Sequence, residues 1–103
     1  ADELAADDKQ KQVATDYKQR YEAKFDQVSS FGAHAYDALM IAVQAIKRAK
    51  TTNKKAVRTE IEKTHNYIGA GGIFNMSVED HMGLQEDSFK LLEVVDGRWQ
   101  IVN

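Results

Sequence analysis

The first half of the chain carries apolar residues at helical spacing. Between Asp7 and Phe25 the large apolar side chains stand four residues apart, with Lys, Gln, Arg and Glu between them. They are Val13, Tyr17, Tyr21 and Phe25. This spacing predicts an amphipathic helix over residues 7–25. Asp7 and Asp8 stand where an N-cap and first-turn acids would complement the helix dipole, and Ser29-Ser30 would close the segment.

A second helix is predicted from about residues 31–33 to Ala49. Its apolar positions form a narrow stripe whose alanines favour close packing. The stripe consists of Ala35, Leu39, Ala42, Val43, Ile46 and Ala49. Asn53 then follows two threonines, as is typical of an N-cap, and Val57, Ile61 and Thr64 predict a third helix of about three turns.

The last segment of the chain predicts a β-hairpin. Two β-type runs, 89–95 and 98–102, are separated by Asp96-Gly97, a dipeptide that favours the type I′ turn. Upstream, Ile73-Phe74 predicts a short strand and residues 75–83 predict an ordered loop. About three helices followed by a hairpin give an α/β fold class.

Both faces of the first hairpin strand are apolar. Phe89, Leu91 and Val95 point to one side and Leu92 and Val94 to the other, so the strand requires cover on two sides. A lone hairpin is marginally stable in water, and three amphipathic helices with little sheet have limited means of burying their stripes. We therefore expect further strands from another part of the same polypeptide or from a second copy of the chain.

Composition is that of one small domain or part of one. The chain has 103 residues and a net charge of −2, which gives no electrostatic reason to bind nucleic acid or an anionic membrane. It contains no Cys, which excludes disulfides and thiolate metal sites. No apolar run approaches the roughly 18 residues of a membrane span. The acidic start, residues 1–8, is unlike a signal peptide, so a mature or excised soluble chain is expected.

Cations cluster at the turn between the second and third helices. They are Lys47, Arg48, Lys50, Lys54, Lys55 and Arg58. No aromatic residues are interleaved, and Glu60 and Glu62 follow at once. The pattern favours a solvated face, assisted by the helix dipole, over a nucleic-acid patch.

Two groups of titratable residues could carry chemistry. His34 and Asp37 lie three apart on the second helix and can reach one point on its surface, but a metal would need a third ligand from His65, His81 or the loop acids. Glu79-Asp80-His81 places carboxylates beside an imidazole, with no Ser or Cys nucleophile elbow. A helix start with ordinary hydrogen bonds and a loop tied by side-chain hydrogen bonds are the favoured interpretations. No catalytic residue and no metal ligand is assigned.

The run Gly69-Ala70-Gly71-Gly72 could bring backbone amides close to an anion, as phosphate-binding loops do. It lacks the Lys-Ser or Lys-Thr of a P-loop and leads toward a strand instead of a helix. A flexible bend, at which the chain changes direction or domain, is the favoured interpretation.

In this order the segments resemble the C-terminal part of the type I periplasmic solute-binding proteins, in particular the branched-chain amino acid receptors of ABC importers. The resemblance is carried by the helix ending at Phe25, the Phe-Gly-Ala-His-Ala-Tyr-Asp-Ala-Leu run at 31–39, the Val57-Arg58 helix, residues 69–74, and residues 91–99. It covers nearly the whole chain but only the last part of such a receptor, whose two lobes exceed the ~100 to 150 residues of one domain.

The resemblance implies that the chain weaves between the two lobes of a bilobal fold. Residues 1–28 would form a helix of the second lobe. Residues 31–74 would form helices and a strand of the first lobe, and residues 75–103 the loop and C-terminal hairpin of the second. Ser29-Ser30 and the region after Phe74 would then be hinge crossings.

The resemblance also implies solute binding without catalysis. Phe31 falls where the family places an aromatic residue against the ligand's side chain, with His34 nearby; a plain core contact is the alternative for Phe31. The solute would be a branched-chain amino acid or a related small carboxylate, and residues 75–81 are similar to relatives that bind aromatic acids. Two lobes would close on it and present it to an ABC permease, in the periplasm or outside the cell, with no cofactor and no nucleic acid.

The family's main anchors for the ligand's α-carboxylate and α-amino groups lie upstream of these segments. The isolated chain is therefore expected to show no binding of leucine, valine or benzoate-type acids in isothermal titration, and it could self-associate. The alternative hypothesis is a stand-alone α+β interaction module that homodimerises through its helix stripes and hairpin edge.

Overall fold

The chain folds into three helices and two small antiparallel hairpins, in a computed structural model that describes residues 1–102. The helices are α1 (Lys11–Glu22), α2 (Ser30–Ala49) and α3 (Lys54–Glu62), and the strands are β1 (Tyr67–Ile68), β2 (Ile73–Phe74), β3 (Leu92–Val95) and β4 (Arg98–Ile101), with a 3-10 turn at Glu86–Ser88. Strand β1 pairs with β2, and β3 pairs with β4. The predicted α/β class is confirmed. No helix within residues 1–102 is long and apolar enough to cross a membrane.

Helix α1 is shorter than the predicted 7–25. It begins after Gln10, so neither Asp7 nor Asp8 is its N-cap, and it ends before Phe25. The Lys11 ammonium donates to three carbonyl oxygens of the first four residues at 2.9 Å each. These hydrogen bonds gather the start of the chain into turns, which the helical spacing alone does not reveal.

Helices α2 and α3 begin at side-chain caps. The Ser29 hydroxyl accepts from the N–H of Gly32 at 3.3 Å, and the Asn53 side chain accepts from the N–H of Ala56 at 3.1 Å. Each cap satisfies an N–H that has no partner inside its helix. The predicted bounds of α2 and the Asn53 cap are confirmed. Ser29 is the N-cap of α2 and Ser30 its first residue, whereas α1 already ends at Glu22, so this pair does not close the first helix.

The predicted C-terminal hairpin is confirmed. Val95 pairs with Arg98 across the turn. Asp96 and Gly97 have φ values of 50° and 74°, as the two central residues of a type I′ turn require. Both strands are shorter than the β-type runs that predicted them. Strand β3 begins at Leu92 and strand β4 ends at Ile101.

The chain has a small core. Its buried apolar residues are Ala14, Ala33, Ile41, Ala45 and Phe74, and its largest fully buried side chain is the carboxylate of Asp37. The radius of gyration is 15.5 Å, whereas a compact domain of about 100 residues has ~13 Å. The elements therefore lie beside one another along an extended molecule.

Part of the apolar stripe predicted on α2 faces outward, since Ala35 and Leu39 are exposed whereas Ala42, Val43 and Ala49 are half-buried. Leu39 is 63% exposed, while the buried residues of the same helix are Ala33, Asp37, Ile41 and Ala45. The hairpin is exposed on both faces as well: Val94 (60%) and its cross-strand partner Trp99 (62%) lie on one face, and Glu93 and Gln100 are exposed on the other. These are the surfaces for which the sequence predicts cover by further strands.

Candidate functional site

The first turn of α2 presents two side chains to solvent. Phe31 is 86% exposed, and His34, three residues further on, is exposed as well. Residues three apart on a helix are neighbours on its surface. The two site residues suggested by the sequence therefore share one patch, at the end of α2 that the Ser29 cap defines.

The turn between β1 and β2 lies against the same end of α2. The N–H of Gly69 donates to the carbonyl of Gly72 at 2.8 Å and closes the turn. The N–H groups of Ala70 and Gly71 donate to the two carboxylate oxygens of Asp37 at 2.8 and 2.7 Å. Asp37 is fully buried, and charge-assisted bonds of this kind offset the cost of burying a carboxylate. The glycine run thus binds an anion, and that anion belongs to the same chain.

Two glycines allow this close approach. A Cβ atom on Gly69 would lie 2.5 Å from Oδ2 of Asp37, and a Cβ atom on Gly71 would lie 2.7 Å from Nδ1 of His34. Neither glycine has a positive φ, so the requirement is space and not backbone conformation. The change of direction predicted here is confirmed; instead of a loose bend, the turn is held by its own hydrogen bond and by Asp37.

The imidazole of His34 lies beside this turn on an aromatic base. Its ring meets the ring of Phe74 edge-on, with centroids 6.4 Å apart and an interplanar angle of 87°. Phe74 is buried, and the ring of Tyr67 lies 6.3 Å from it. Burial raises the pKa of the Tyr67 phenol, and the negative charge of Asp37 raises it further. His34 is therefore backed by packed groups while remaining exposed to solvent.

Helix α1 borders the other side of this end of α2. The rings of Tyr17 and Tyr36 lie 5.1 Å apart, and the Tyr17 hydroxyl lies 2.9 Å from the position that a Cβ on Gly32 would occupy. The side-chain amide of Gln10 donates to the carbonyl of Ala70 at 3.2 Å. Burial raises the pKa of the Tyr17 hydroxyl, which stays protonated at neutral pH. Helix α1 and the β1–β2 turn thus flank the exposed patch.

Asp37 makes ordinary hydrogen bonds, which is the favoured interpretation of the sequence, and it does not share a surface site with His34. Both border Gly71, but the carboxylate is buried against the turn amides and only the imidazole reaches the surface. Within residues 1–102, no group of three or more His, Cys, Asp and Glu side chains is placed to hold a metal ion.

The Glu79-Asp80-His81 segment is a loop tied together by side-chain hydrogen bonds, as predicted. The Ser77 hydroxyl accepts from the N–H of Asp80 at 2.9 Å. The Asp80 carboxylate accepts from the N–H groups of Met82 and Gly83 at 2.9 and 3.0 Å. His81 instead lies 3.0 Å from Glu62 of α3. The carboxylate and the imidazole therefore serve separate structural contacts.

This loop is expected to loosen in acid. The N–H groups of Gly83 and Met82 hold the pKa of Asp80 below its ordinary value of 3.8. A depressed pKa in the folded state means that the stabilisation is present above the ordinary pKa and is lost as the pH falls through the folded value. The amide protection factors of Met82 and Gly83 should drop below about pH 3.8, while those of α2 persist. Equal protection of both segments in acid would contradict this role for Asp80.

Two features of the site escape the sequence patterns. Strand β1 is a single pair of residues, Tyr67-Ile68, and the only signal for it is a β-type pair placed symmetrically with Ile73-Phe74 about the glycines. The role of Asp37 has a clearer signal, since an acid stands among Ala33 and Ile41 at a spacing of four on one helix face. An acid at such a position requires a buried partner.

The fold leaves one end of α2 and the apolar faces of α2 and of the C-terminal hairpin exposed. The sequence profile of the family described as periplasmic binding protein matches residues 2–98. The chain belongs to the periplasmic binding protein family, as the sequence resemblance indicated.

Two solved structures share this fold. Rp1789 from Rhodopseudomonas palustris strain CGA009 is 24% identical, with a TM-score of 0.80. An extracellular ligand-binding receptor from Rhodopseudomonas palustris HaA2 is 23% identical, with a TM-score of 0.81. Each match covers 99% of this chain but only 31% of the other chain. Among curated proteins, no match to this chain is found.

Proposed function

We propose that this chain is the C-terminal portion of a two-lobe solute-binding receptor and that the amino end of α2 faces the solute. Three findings support the proposal: the family match over residues 2–98, the fold shared with an extracellular ligand-binding receptor, and the 31% of that receptor's length that the chain spans. The receptor would bind its solute by lobe closure, without chemistry.

The observation that carries the proposal is the position of Phe31. At 100° per residue, Phe31 lies on the outward apolar face of α2, at the amino end of the row that continues through Ala35, Leu39 and Ala42. Such a face packs on a sheet. A helix that connects parallel strands runs opposite to them, so its amino end lies at their carboxyl edge, where ligands of open α/β sheets bind. Phe31 would therefore lie at the mouth of the cleft.

The chemistry of this end of α2 favours the apolar part of a solute. Phe31 offers an aromatic face and His34 a single hydrogen-bonding group. The amides of Ala70 and Gly71 are already engaged by Asp37, so a solute carboxylate would be anchored by another part of the receptor. We propose a branched-chain amino acid or a small aromatic carboxylate as the solute, with neither cofactor nor metal.

The chain would cross twice between the lobes. In this proposal residues 1–28 belong to the second lobe, residues 31–74 to the first, and residues 75–103 to the second again, with Asn103 outside the residues that the structure describes. The closed receptor would deliver its solute to an ABC permease from the periplasmic or extracellular side. Both the lobe assignment and the permease are proposals from the family.

Replacing Phe31 by alanine tests this function. In the full-length receptor, Phe31→Ala should raise the dissociation constant for the preferred solute about tenfold or more, since an aromatic contact of ~1.4 kcal/mol is lost. Isothermal titration against leucine, valine and benzoate-type acids measures it. The matched control is Phe89→Ala, because Phe89 is similarly exposed, at 77%, but lies far along the chain. An unchanged affinity in Phe31→Ala, or an equal loss in the control, would refute the placement.

A stand-alone module that homodimerises is the second candidate. It is favoured by the exposed apolar faces of α2 and of the β3–β4 hairpin, since Leu39 and Trp99 are each more than half exposed. Light scattering of the isolated chain separates the two functions. A stable, concentration-dependent dimer supports the module, and a partly folded, aggregating chain supports the receptor segment.

A further inference from the structure

Asp37 is the most unusual buried group in the molecule. It is fully buried, and none of the ion pairs within residues 1–102 includes it. Its two oxygens are instead satisfied by the amides of Ala70 and Gly71, at 2.8 and 2.7 Å. A carboxylate so buried depends on these donors, and the donors depend on it. The conformation of the turn and the ionised side chain therefore stabilise each other.

The same turn forms a wall for His34. A Cβ on Gly71 would lie 2.7 Å from Nδ1 of His34 and 3.2 Å from Oδ2 of Asp37, so the backbone at Gly71 touches both groups. The ring of Phe74, in the strand that follows the turn, supports the imidazole edge-on at 6.4 Å. A shift of the turn would therefore move the two surfaces that orient the His34 ring.

We propose that Asp37 is a positioning residue of the solute site: its carboxylate holds the β1–β2 turn, and the turn fixes the orientation of the His34 imidazole toward the solute. Asp37 itself is buried and would not touch the solute. The proposal rests on the proposed function, because it assigns to His34 a place in the cleft. Beyond the proposed function, the new element is that the buried Asp37 determines how His34, the polar group at this end of α2, is oriented.

Two variants perturb the contacts among Asp37, the β1–β2 turn and His34 at different points. Asp37→Asn keeps the shape of the side chain but turns one acceptor oxygen into an NH₂ donor, which leaves one turn amide without a partner. Gly71→Ala keeps the carboxylate and presses a methyl group on the imidazole. The control is Ile41→Ala, since Ile41 is 5% exposed on the same buried face of α2, one turn further on. It lowers stability without removing a hydrogen bond of the turn.

The experiment uses the full-length receptor with isotope-labelled histidine. We expect Asp37→Asn and Gly71→Ala to shift the ring resonances of His34 and to weaken the affinity for the preferred solute on the order of tenfold. Ile41→Ala should leave the His34 resonances in place and the affinity for the solute within about twofold of the parent, even with a comparable loss of melting temperature. The Ala70 and Gly71 amides should also lose protection in Asp37→Asn, which identifies the turn as the moved element.

The outcomes separate this inference from the proposed function. If the His34 resonances in Asp37→Asn match those of Ile41→Ala, Asp37 is only structural and the inference is overturned, whatever Gly71→Ala shows. If the parent receptor binds neither leucine, valine nor benzoate-type acids, the proposed function fails. The His34 resonances still decide whether Asp37 positions the ring. Should Asp37→Asn not fold, Gly69→Ala decides the question, because its methyl group would press on the Asp37 carboxylate and not on His34.

Discussion

Gly69→Ala is expected to destabilise the chain by about 3 kcal/mol, the largest loss for any single added methyl group in this fold. The new Cβ would lie 2.5 Å from Oδ2, 2.6 Å from Cγ and 2.7 Å from Oδ1 of Asp37. Asp37 is fully buried, so the carboxylate cannot swing into solvent and the turn must move instead. Moving the turn breaks the hydrogen bonds from Ala70 and Gly71.

Gly97→Ala is the matched control for this substitution. Gly97 has a φ of 74°, and no heavy atom lies within 4 Å of its added Cβ, so only backbone strain of about 1 kcal/mol is expected. Urea denaturation followed by circular dichroism measures both losses. Equal destabilisation by the two variants would show that the contact between Gly69 and Asp37 is not tight.

Leu39→Lys is expected to be harmless in the isolated chain and severe in the complete receptor. Here Leu39 is 63% exposed, and a surface substitution usually changes stability by less than about 0.5 kcal/mol. If the outward face of α2 packs on the sheet of a lobe, the lysine would bury an unpaired charge and remove a core leucine. The expected loss there is about 4 kcal/mol or more.

Gln44→Lys provides the control, because it places the same charge on the same helix at an exposed position outside the apolar stripe. It should cost less than about 0.5 kcal/mol in the receptor. The measurements are the free energies of unfolding of both variants in the receptor and their helical circular dichroism in the isolated chain. A mild effect of Leu39→Lys in the receptor would mean that no sheet covers this face.

The elements that the sequence predicts well are those whose signals are local. Asn53 and the DG dipeptide at Asp96-Gly97 each dictate a backbone conformation by their own chemistry, and both features are found as expected. Helix α2 is long enough for its spacing to be unambiguous. The predicted start of α1 is wrong because the residues before Lys11 form turns of their own: the N–H of Asp8 donates to the carbonyl of Ala5, and the Asp8 carboxylate accepts from the N–H of Gln10. Such turns leave no periodic trace.

The candidate site depends on contacts that are distant in sequence. Asp37 and Gly71 are 34 residues apart, and no spacing rule joins a helix acid to the amides of a later turn. The sequence therefore predicts ordinary hydrogen bonds for His34 and Asp37 at a helix start and a bend at the glycine run, but it does not predict that Asp37 is turned inward to hold that bend. Phe31 came from the family resemblance alone; its exposure and its place at the end of the apolar face are what the structure adds.

Phe31 is a candidate solute contact because it begins the outward apolar face of α2. A single exposed aromatic residue is ordinary on a protein surface. In the proposed receptor, a residue that begins an uncovered apolar row beside a turn held by a buried carboxylate would lie where a sheet edge and the solute meet.

A crystal structure of the full-length receptor with its captured solute tests the placement of Phe31 most directly. We expect α2 to pack its outward face on the sheet of one lobe, with solute carbon atoms within about 4.5 Å of the Phe31 ring and His34 facing the same cleft. A solute bound elsewhere, with Phe31 in solvent or enclosed in a lobe core, would contradict the proposed site.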